Sequence, residues 1–350
     1  MIKTYSSTIR RKEMDAVLTC MVDEKLGPGE INLKLIQQIK ENFSCDGAIA
    51  LRSPSIALKY ILIALNIEKK EKIMISALAP SWQYTAIKEL GYEPLVLDVE
   101  ETTGLVSVEK ISEGLLSGGK VLLLHETGGI LPDFENILNF NIPIIEDISQ
   151  SYGASFYQKN ENGNEISKKQ AGTFGLYTIL GLEEHDVVTS GGGAILFSKG
   201  RKEWTVMKNC LSVIPSIDML PDINSALAYI QLKEFNRNEK IRKEIYANYQ
   251  HACLIGRHKM FMREMDDKST VSCFSLILNS SFKDVKQYAG KKDIEVRLAY
   301  EDSVIAQNDE LSESCIHAKS LFLRCVHFPL YPRLSSSECS KIIKVLGSLP

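Results

Sequence analysis

The 350-residue sequence has no surplus of basic charge, no paired cysteines and no long apolar run. Its net charge is −3 and its isoelectric point is near 6.1, so nothing in the charge balance points to nucleic acid or to an anionic membrane. The eight cysteines (Cys20, Cys45, Cys210, Cys253, Cys273, Cys315, Cys325 and Cys339) contain no C-x-x-C and no regular spacing. That argues against structural zinc and against a secreted disulfide framework. Buried, reduced thiols are the expectation, and no metal site is foreseen. The longest apolar run, Tyr60-Ile-Leu-Ile-Ala-Leu65, is far short of the roughly 20 residues that cross a bilayer. The first residues, Met1-Ile-Lys-Thr-Tyr-Ser-Ser7, lack the apolar centre of a signal peptide. A soluble, cytoplasmic protein without internal repeats is expected.

Hydrophobic residues make up 44% of the chain and charged residues 24%, which suits a globular protein with a sizeable core. The length allows one large domain and a smaller one. Strand and helix patterns alternate through the first two hundred residues. Strands are expected at 48–51, 73–76, 94–98, 120–125 and 143–146, then at 194–197. Several of these are almost continuously apolar, as strands buried on both faces are. Helices are expected over 55–65 and 82–90, the second closed by Gly91. The spacing therefore predicts an α/β fold with a mainly parallel sheet between helices.

The stretch 158–170 is polar and without period, a surface excursion. After about residue 205 the pattern changes. Asp222 is positioned to cap a long helix whose apolar residues recur at helical spacing. Strands near 271–278 and 294–298 and a helix over 282–289 follow. Ser335-Ser-Ser-Glu338 is a capping box that opens a last helix through Leu346. These elements divide the chain into a large domain over 1–205, N-terminal segment included, and a smaller α+β domain over 206–350.

The most specific local signal is Pro143-Ile-Ile-Glu-Asp-Ile-Ser-Gln150, an apolar strand that ends in a carboxylate with an amide three residues later. Ligands of open α/β sheets bind at the carboxyl ends of strands. Asp147 there can pair with a protonated pyridine nitrogen, and Gln150 can donate to a ring hydroxyl. Ser53-Pro54-Ser55 opens a helix, where unpaired amides and the dipole suit a phosphate. Trp82 stands between a strand and its helix. His125 ends another strand.

In this order along the chain, these segments resemble the DegT/DnrJ/StrS family of nucleotide-sugar aminotransferases, from about Gly27 to Leu349. The resemblance implies a fold-type-I enzyme that depends on pyridoxal phosphate or pyridoxamine phosphate. It implies Asp147 as partner of the ring nitrogen and Gln150 as partner of the ring hydroxyl. Trp82 would stack on the ring, and Ser53, Ser55 and Thr178 would serve the phosphate. A nucleotide sugar is the implied substrate, with glutamate as amino donor. A homodimer is the implied assembly, or a heterodimer if a lysine-bearing paralogue completes the site.

The sequence departs from the family pattern at three places. Pro54 replaces a glycine and removes an amide at the phosphate end. Ile217, Asp218 and Met219 stand where an Asn-Tyr-Arg normally reaches the partner's phosphate site. The third departure bears on the chemistry: counting back from Gly192-Gly193, the cofactor lysine position falls on His185.

Imidazole has no primary amine, so it cannot hold the cofactor covalently as a lysine does. With a pKa of about 6.5 it can serve as a general base. One branch of the family, the 4-keto-6-deoxymannose 3-dehydratases, has histidine in this position. Three expectations follow: transamination of a keto-sugar, removal of its 3-hydroxyl with His185 as base, or a degenerate member that binds a nucleotide sugar or partner without chemistry.

Overall fold

The computed structural model describes residues 1–159, 165–254, 256–263 and 269–350. Its main sheet contains β1 (Gly47–Leu51), β2 (Lys72–Ser76), β3 (Glu93–Leu97), β4 (Gly119–His125), β5 (Ile144–Asp147), β8 (Tyr177–Gly181) and β9 (Ala194–Ser198), in the order β1-β9-β8-β5-β4-β2-β3. From β8 to β3 every neighbouring pair is parallel. Only β9 runs against its two neighbours. All residues of β5, β8 and β9 are buried, as helices on both faces require.

The remaining strands stand apart from this sheet. An antiparallel ribbon pairs β6 (Ser155–Lys159) with β7 (Glu165–Gln170). It occupies the stretch that the sequence presents as a featureless polar excursion, of which 160–164 lie outside the described residues. A short polar ribbon lacks the apolar alternation that marks a half-buried strand. The strand β8 was also not foreseen. It ends in Gly181, where a Cβ would fall 2.6 Å from Ser149 Oγ and 2.7 Å from Asp186 Oδ2. Its last residue is thus fitted to the site and not to strand propensity.

The helix Asp222–Cys253 is 32 residues long, about 48 Å at 1.5 Å per residue. Its first half (Ala228, Leu232, Phe235) packs in the core beneath the main sheet. Its second half (Ile245, Tyr246, Tyr249, Cys253) packs in a separate core. That second core belongs to an antiparallel sheet, β10 (Phe274–Ile277), β12 (Cys325–Phe328) and β11 (Arg297–Leu298), in the order β10-β12-β11. The last helix, Ser336–Leu346, carries the expected capping box between Ser335 and Glu338.

Asp222 does not cap its own helix, as the sequence suggested. Its residue is already the first helical position, behind Pro221. Its carboxylate instead accepts the amides of Gly29 at 2.9 Å, Ile31 at 3.1 Å and Asn32 at 2.8 Å. It therefore caps the helix Glu30–Phe43, whose own N-cap Gly29 has no side chain to do so.

The chain begins on the smaller sheet. Ile2 forms a parallel bridge with Ile294, and the Thr4 amide donates to Glu295 at 2.9 Å. This pairing carries Tyr5 to the gap between the two sheets.

Candidate active site

A cavity of about 880 Å³ lies beyond the carboxyl ends of β4 and β5 and is closed on its far side by the smaller sheet. One wall contains Ser53, Pro54, Ser55, Trp82, His125 and Gln150, and the rim contains His185. The opposite wall contains Tyr5, Cys273, Arg297 and His327. This volume falls within the range of small-molecule sites.

Period-two alternation along β5 separates Glu146 from Asp147. Glu146 accepts the amides of Gly172 at 2.7 Å, Phe174 at 2.6 Å and Gly175, and so fixes the turn before β8. Burial pushes its carboxyl up to about 6, although those amides pull the other way. Asp147 points to the other face. It pairs in register with His125 of the parallel neighbour β4, so the two side chains meet.

His125 Nδ1 lies 3.0 Å from Asp147 Oδ2 and must carry the proton, because an ionised carboxylate only accepts. Gln83 Nε2 donates to the same oxygen at 2.8 Å. The Ser149 amide donates to Oδ1 at 3.2 Å, and the Ser149 hydroxyl donates to it as well. Burial alone would raise the Asp147 pKa. The charge on His125 and the hydrogen bonds from His125 and Ser149 outweigh burial and leave it below the ordinary carboxylate range. The result is an ionised carboxylate, 1% exposed, directly behind His125 and Ser149. His125 and Ser149 line the cavity; Asp147 acts from behind them.

Gln150 is oriented by its oxygen. The Gly128 amide donates to Oε1 at 2.7 Å, which leaves the NH₂ end of the carboxamide for the cavity. Ser53 and Ser55 line the opposite end. The Ser53 hydroxyl already accepts the Ile56 amide at 3.2 Å as N-cap of the helix Pro54–Ala64. Trp82, half-buried, opens the helix Ser81–Glu89 on the cavity wall.

Thr178 is not brought to this group. It pairs with Glu146 in mid-sheet, and its hydroxyl donates to the Gly172 carbonyl at 2.9 Å. A phosphate role for Thr178 is corrected by that placement. Its neighbour Tyr177 donates to the Glu203 carbonyl at 3.0 Å.

The segment between β8 and β9 carries His185 outward to the cavity rim. Gly191, Gly192 and Gly193 turn it back, with φ of 73°, 133° and 120°. Residues with a Cβ rarely adopt such values. At Gly193 a Cβ would also stand 2.5 Å from Leu220 and 3.1 Å from the Leu51 carbonyl. The His185 ring stacks on Tyr5, with centroids 4.3 Å apart and 20° between planes. Tyr5 Oη in turn lies 2.8 Å from His327 Nδ1. Burial raises the Tyr5 phenol, so it stays protonated and donates. Asp186, beside His185, has its carboxyl pushed well up by burial.

Five of these contributors escaped sequence reasoning. Gln83 adjoins Trp82 in the sequence, and an amide in the first turn of that helix was the available signal. Tyr5, Cys273, Arg297 and His327 had none. They meet because Ser275, His327 and Arg297 form one cross-strand row on β10, β12 and β11, with Tyr5 delivered by the N-terminal bridge.

The profile of the DegT/DnrJ/EryC1/StrS aminotransferase family matches residues 7–347. The chain belongs to this family. A GDP-perosamine synthase from Escherichia coli O157:H7 is 21% identical over 362 aligned positions, which cover 96% of this chain and 95% of that protein. Among solved structures, the E. coli GDP-4-keto-6-deoxy-D-mannose-3-dehydratase with bound hydrated PLP superposes with a TM-score of 0.84 at 17% identity, over 99% of each chain. An aminotransferase from Psychrobacter cryohalolentis gives 0.83 at 17% identity, over 97% of this chain and 96% of that one. The α/β architecture with a mainly parallel sheet is thus the fold-type-I architecture of this family's pyridoxal-phosphate enzymes.

The donor set fits the ring of such a cofactor. An ionised carboxylate behind the wall, a carboxamide with its nitrogen end free and an indole at the edge suit a cationic, hydroxylated ring. The phosphate end is less complete, since Pro54 has no amide to give.

Proposed function

We propose that this chain is a pyridoxal- or pyridoxamine-phosphate-dependent enzyme that removes the 3-hydroxyl of a keto-sugar nucleotide, with His185 as the base. One observation carries this reading. His185 lines the cavity, and among the described residues no lysine does; the count back from Gly192-Gly193, by resemblance to the family, puts the cofactor lysine's place at His185.

When bound, the cofactor supplies an electron-withdrawing ring that stabilises charge at the carbon losing its proton. The chain supplies the rest. Asp147, its carboxylate fixed by His125, Gln83 and Ser149, would hold its negative charge behind the wall beneath the ring. Gln150 orients the ring through its free NH₂. Trp82 covers one face, and Ser53 and Ser55 hold the phosphate at the helix N-terminus. His185 Nε2 or Nδ1 takes the proton from carbon and returns it, and the stack on Tyr5 limits its swing. Glutamate would regenerate the amino form of the cofactor.

We also propose a homodimer. The helix Arg11–Val22 leaves Met14, Leu18, Met21 and Val22 exposed, at 50%, 53%, 53% and 81%, a row at helical spacing that a second copy would cover. A second reading, a subunit that binds a nucleotide sugar without chemistry, is favoured by the phosphate end. There Pro54 lacks an amide to give.

The product distinguishes the readings. The purified protein with pyridoxamine phosphate, glutamate and a 4-keto-6-deoxyhexose nucleotide should yield, by mass spectrometry, a sugar that has lost its 3-hydroxyl. A stable amino sugar would indicate transamination. Unchanged substrate would support the non-catalytic reading. The same preparation should sediment at twice the chain mass.

A further inference from the structure

His185 is exposed on its turn, and among the described residues its imidazole has no hydrogen bond and a single ring contact, Tyr5. Two spaces are open to that imidazole. One is the main cavity; the other is a polar side chamber of about 50 Å³, and His185 and Tyr5 border both. The chamber is lined by Glu184, Asp186 and Arg242, and Arg242 is already paired with Glu239 at 2.6 Å. An exposed side chain exchanges rotamers within nanoseconds. Without the stack, nothing among the described residues keeps the His185 ring on the cavity side.

Tyr5, in contrast, is fixed from several sides. Its hydroxyl donates to His327 Nδ1 at 2.8 Å, and the His327 ring meets it edge-on, with centroids 6.0 Å apart. The Arg297 guanidinium lies 5.7 Å from its centroid. Before Tyr5, the Ile2 carbonyl accepts the Glu295 amide at 2.9 Å, and Thr4 Oγ1 donates to the Glu295 carbonyl at 3.1 Å. After it, the carbonyls of Ser7 and Thr8 each accept from Gln231 of the long helix at 3.4 Å. The Ser7 hydroxyl donates to the Glu184 carbonyl, also at 3.4 Å. Thr8 is held at φ 55°, a value that a β-branched residue keeps only where its surroundings impose it. Residues 2–8 thus strap the smaller sheet to the long helix and to the turn that carries His185.

We propose, resting on His185 as the base of the reaction above, that Tyr5 is its positioning residue: the strap sets the phenol ring, and the ring keeps the imidazole turned to the cavity and out of the side chamber. Tyr5 touches no reacting atom and acts only through orientation. An aromatic face accepts a neutral imidazole by stacking and an imidazolium by cation–π attraction, so one contact serves before and after proton transfer. A stack of this kind favours one orientation by about 2–10-fold. A base misplaced by about 1 Å can lose up to about 10²-fold in rate.

The test joins an NMR spectrum to kinetics on the full-length protein. With isotope-labelled histidine the six imidazoles give separate ring signals, and His185→Asn identifies that of His185. Stacked on Tyr5, it should lie upfield of a free imidazole through the ring current. Tyr5→Leu keeps apolar bulk without a ring and should return the signal to the free position; Tyr5→Phe should leave it upfield. In turnover of the keto-sugar nucleotide, Tyr5→Leu should lose about 10-fold in kcat with KM within about twofold, and Tyr5→Phe should recover most of that loss. A wild-type signal at the free position, or one unmoved in Tyr5→Leu, overturns the stack. A moved signal with kcat lowered by less than about twofold overturns the positioning role. Wild-type protein that turns nothing over defeats His185 as base, and the spectrum still decides the stack. If Tyr5→Leu does not fold, the wild-type and Tyr5→Phe signals decide, since both must lie upfield.

Discussion

His185→Asn should lower turnover of the keto-sugar nucleotide by about 10²–10⁴-fold, the range that a positioned general base supplies. The carboxamide keeps polarity and approximate size at the cavity rim but cannot accept a proton from carbon near neutral pH. Cofactor affinity should stay within a few-fold of wild type, because Asp147, Gln150 and the helix at Ser53 are untouched. A fall in kcat at nearly constant cofactor Kd is the signature. Residual turnover above about a tenth of wild type would remove His185 from the role of base, since no general-base contribution of ordinary size could then be assigned to it. The stack between His185 and Tyr5, at 4.3 Å, offers a purely structural explanation for a weak effect. Thermal unfolding of the same variant separates the two, because loss of one exposed stack should leave it nearly unchanged.

The second large effect lies far from the cavity. Asp222→Ala should destabilise the protein by about 3 kcal/mol, read as a lower urea midpoint at unchanged m. Asp222 is 1% exposed and serves three amides at the start of the helix Glu30–Phe43. Alanine leaves those donors without a partner in a place that water barely reaches. An ordinary N-cap loss costs about 1 kcal/mol; here the cap is buried and joins two helices. Asp222→Asn retains an acceptor and should lose clearly less. A loss under 1 kcal/mol in Asp222→Ala would show that the helix start finds other partners.

Asp222 also illustrates what the sequence conceals. Its position before an apolar helical period correctly located the helix Asp222–Cys253. Which amides it serves depends on a helix nearly two hundred residues earlier, and local spacing carries no information about that. The site divides in the same way. The placement of Asp147 and Gln150 at the end of β5 was legible because one strand and its exit turn determine both, and that of His125 because β4 lies next to β5 in parallel register. His185 was reached by counting back from Gly192-Gly193, whose backbone angles no other residue readily adopts, and the structure puts it on the cavity rim. Thr178 was misplaced because residues 177–181 were not read as a strand. In the fold that stretch is a strand, and register with Glu146 decides where its side chain goes. The far wall, with Tyr5, Cys273, Arg297 and His327, is assembled by pairing between segments distant in the chain. No motif could announce it.

The central claim is that this cavity holds a pyridoxal-type cofactor without a covalent lysine. Titration of the purified protein with pyridoxal phosphate, borohydride reduction and peptide mass mapping test it together. Saturable binding with no cofactor fixed to any lysine at the site is the predicted result. A lysine peptide carrying the reduced cofactor at unit stoichiometry, or no saturable binding at all, would contradict it.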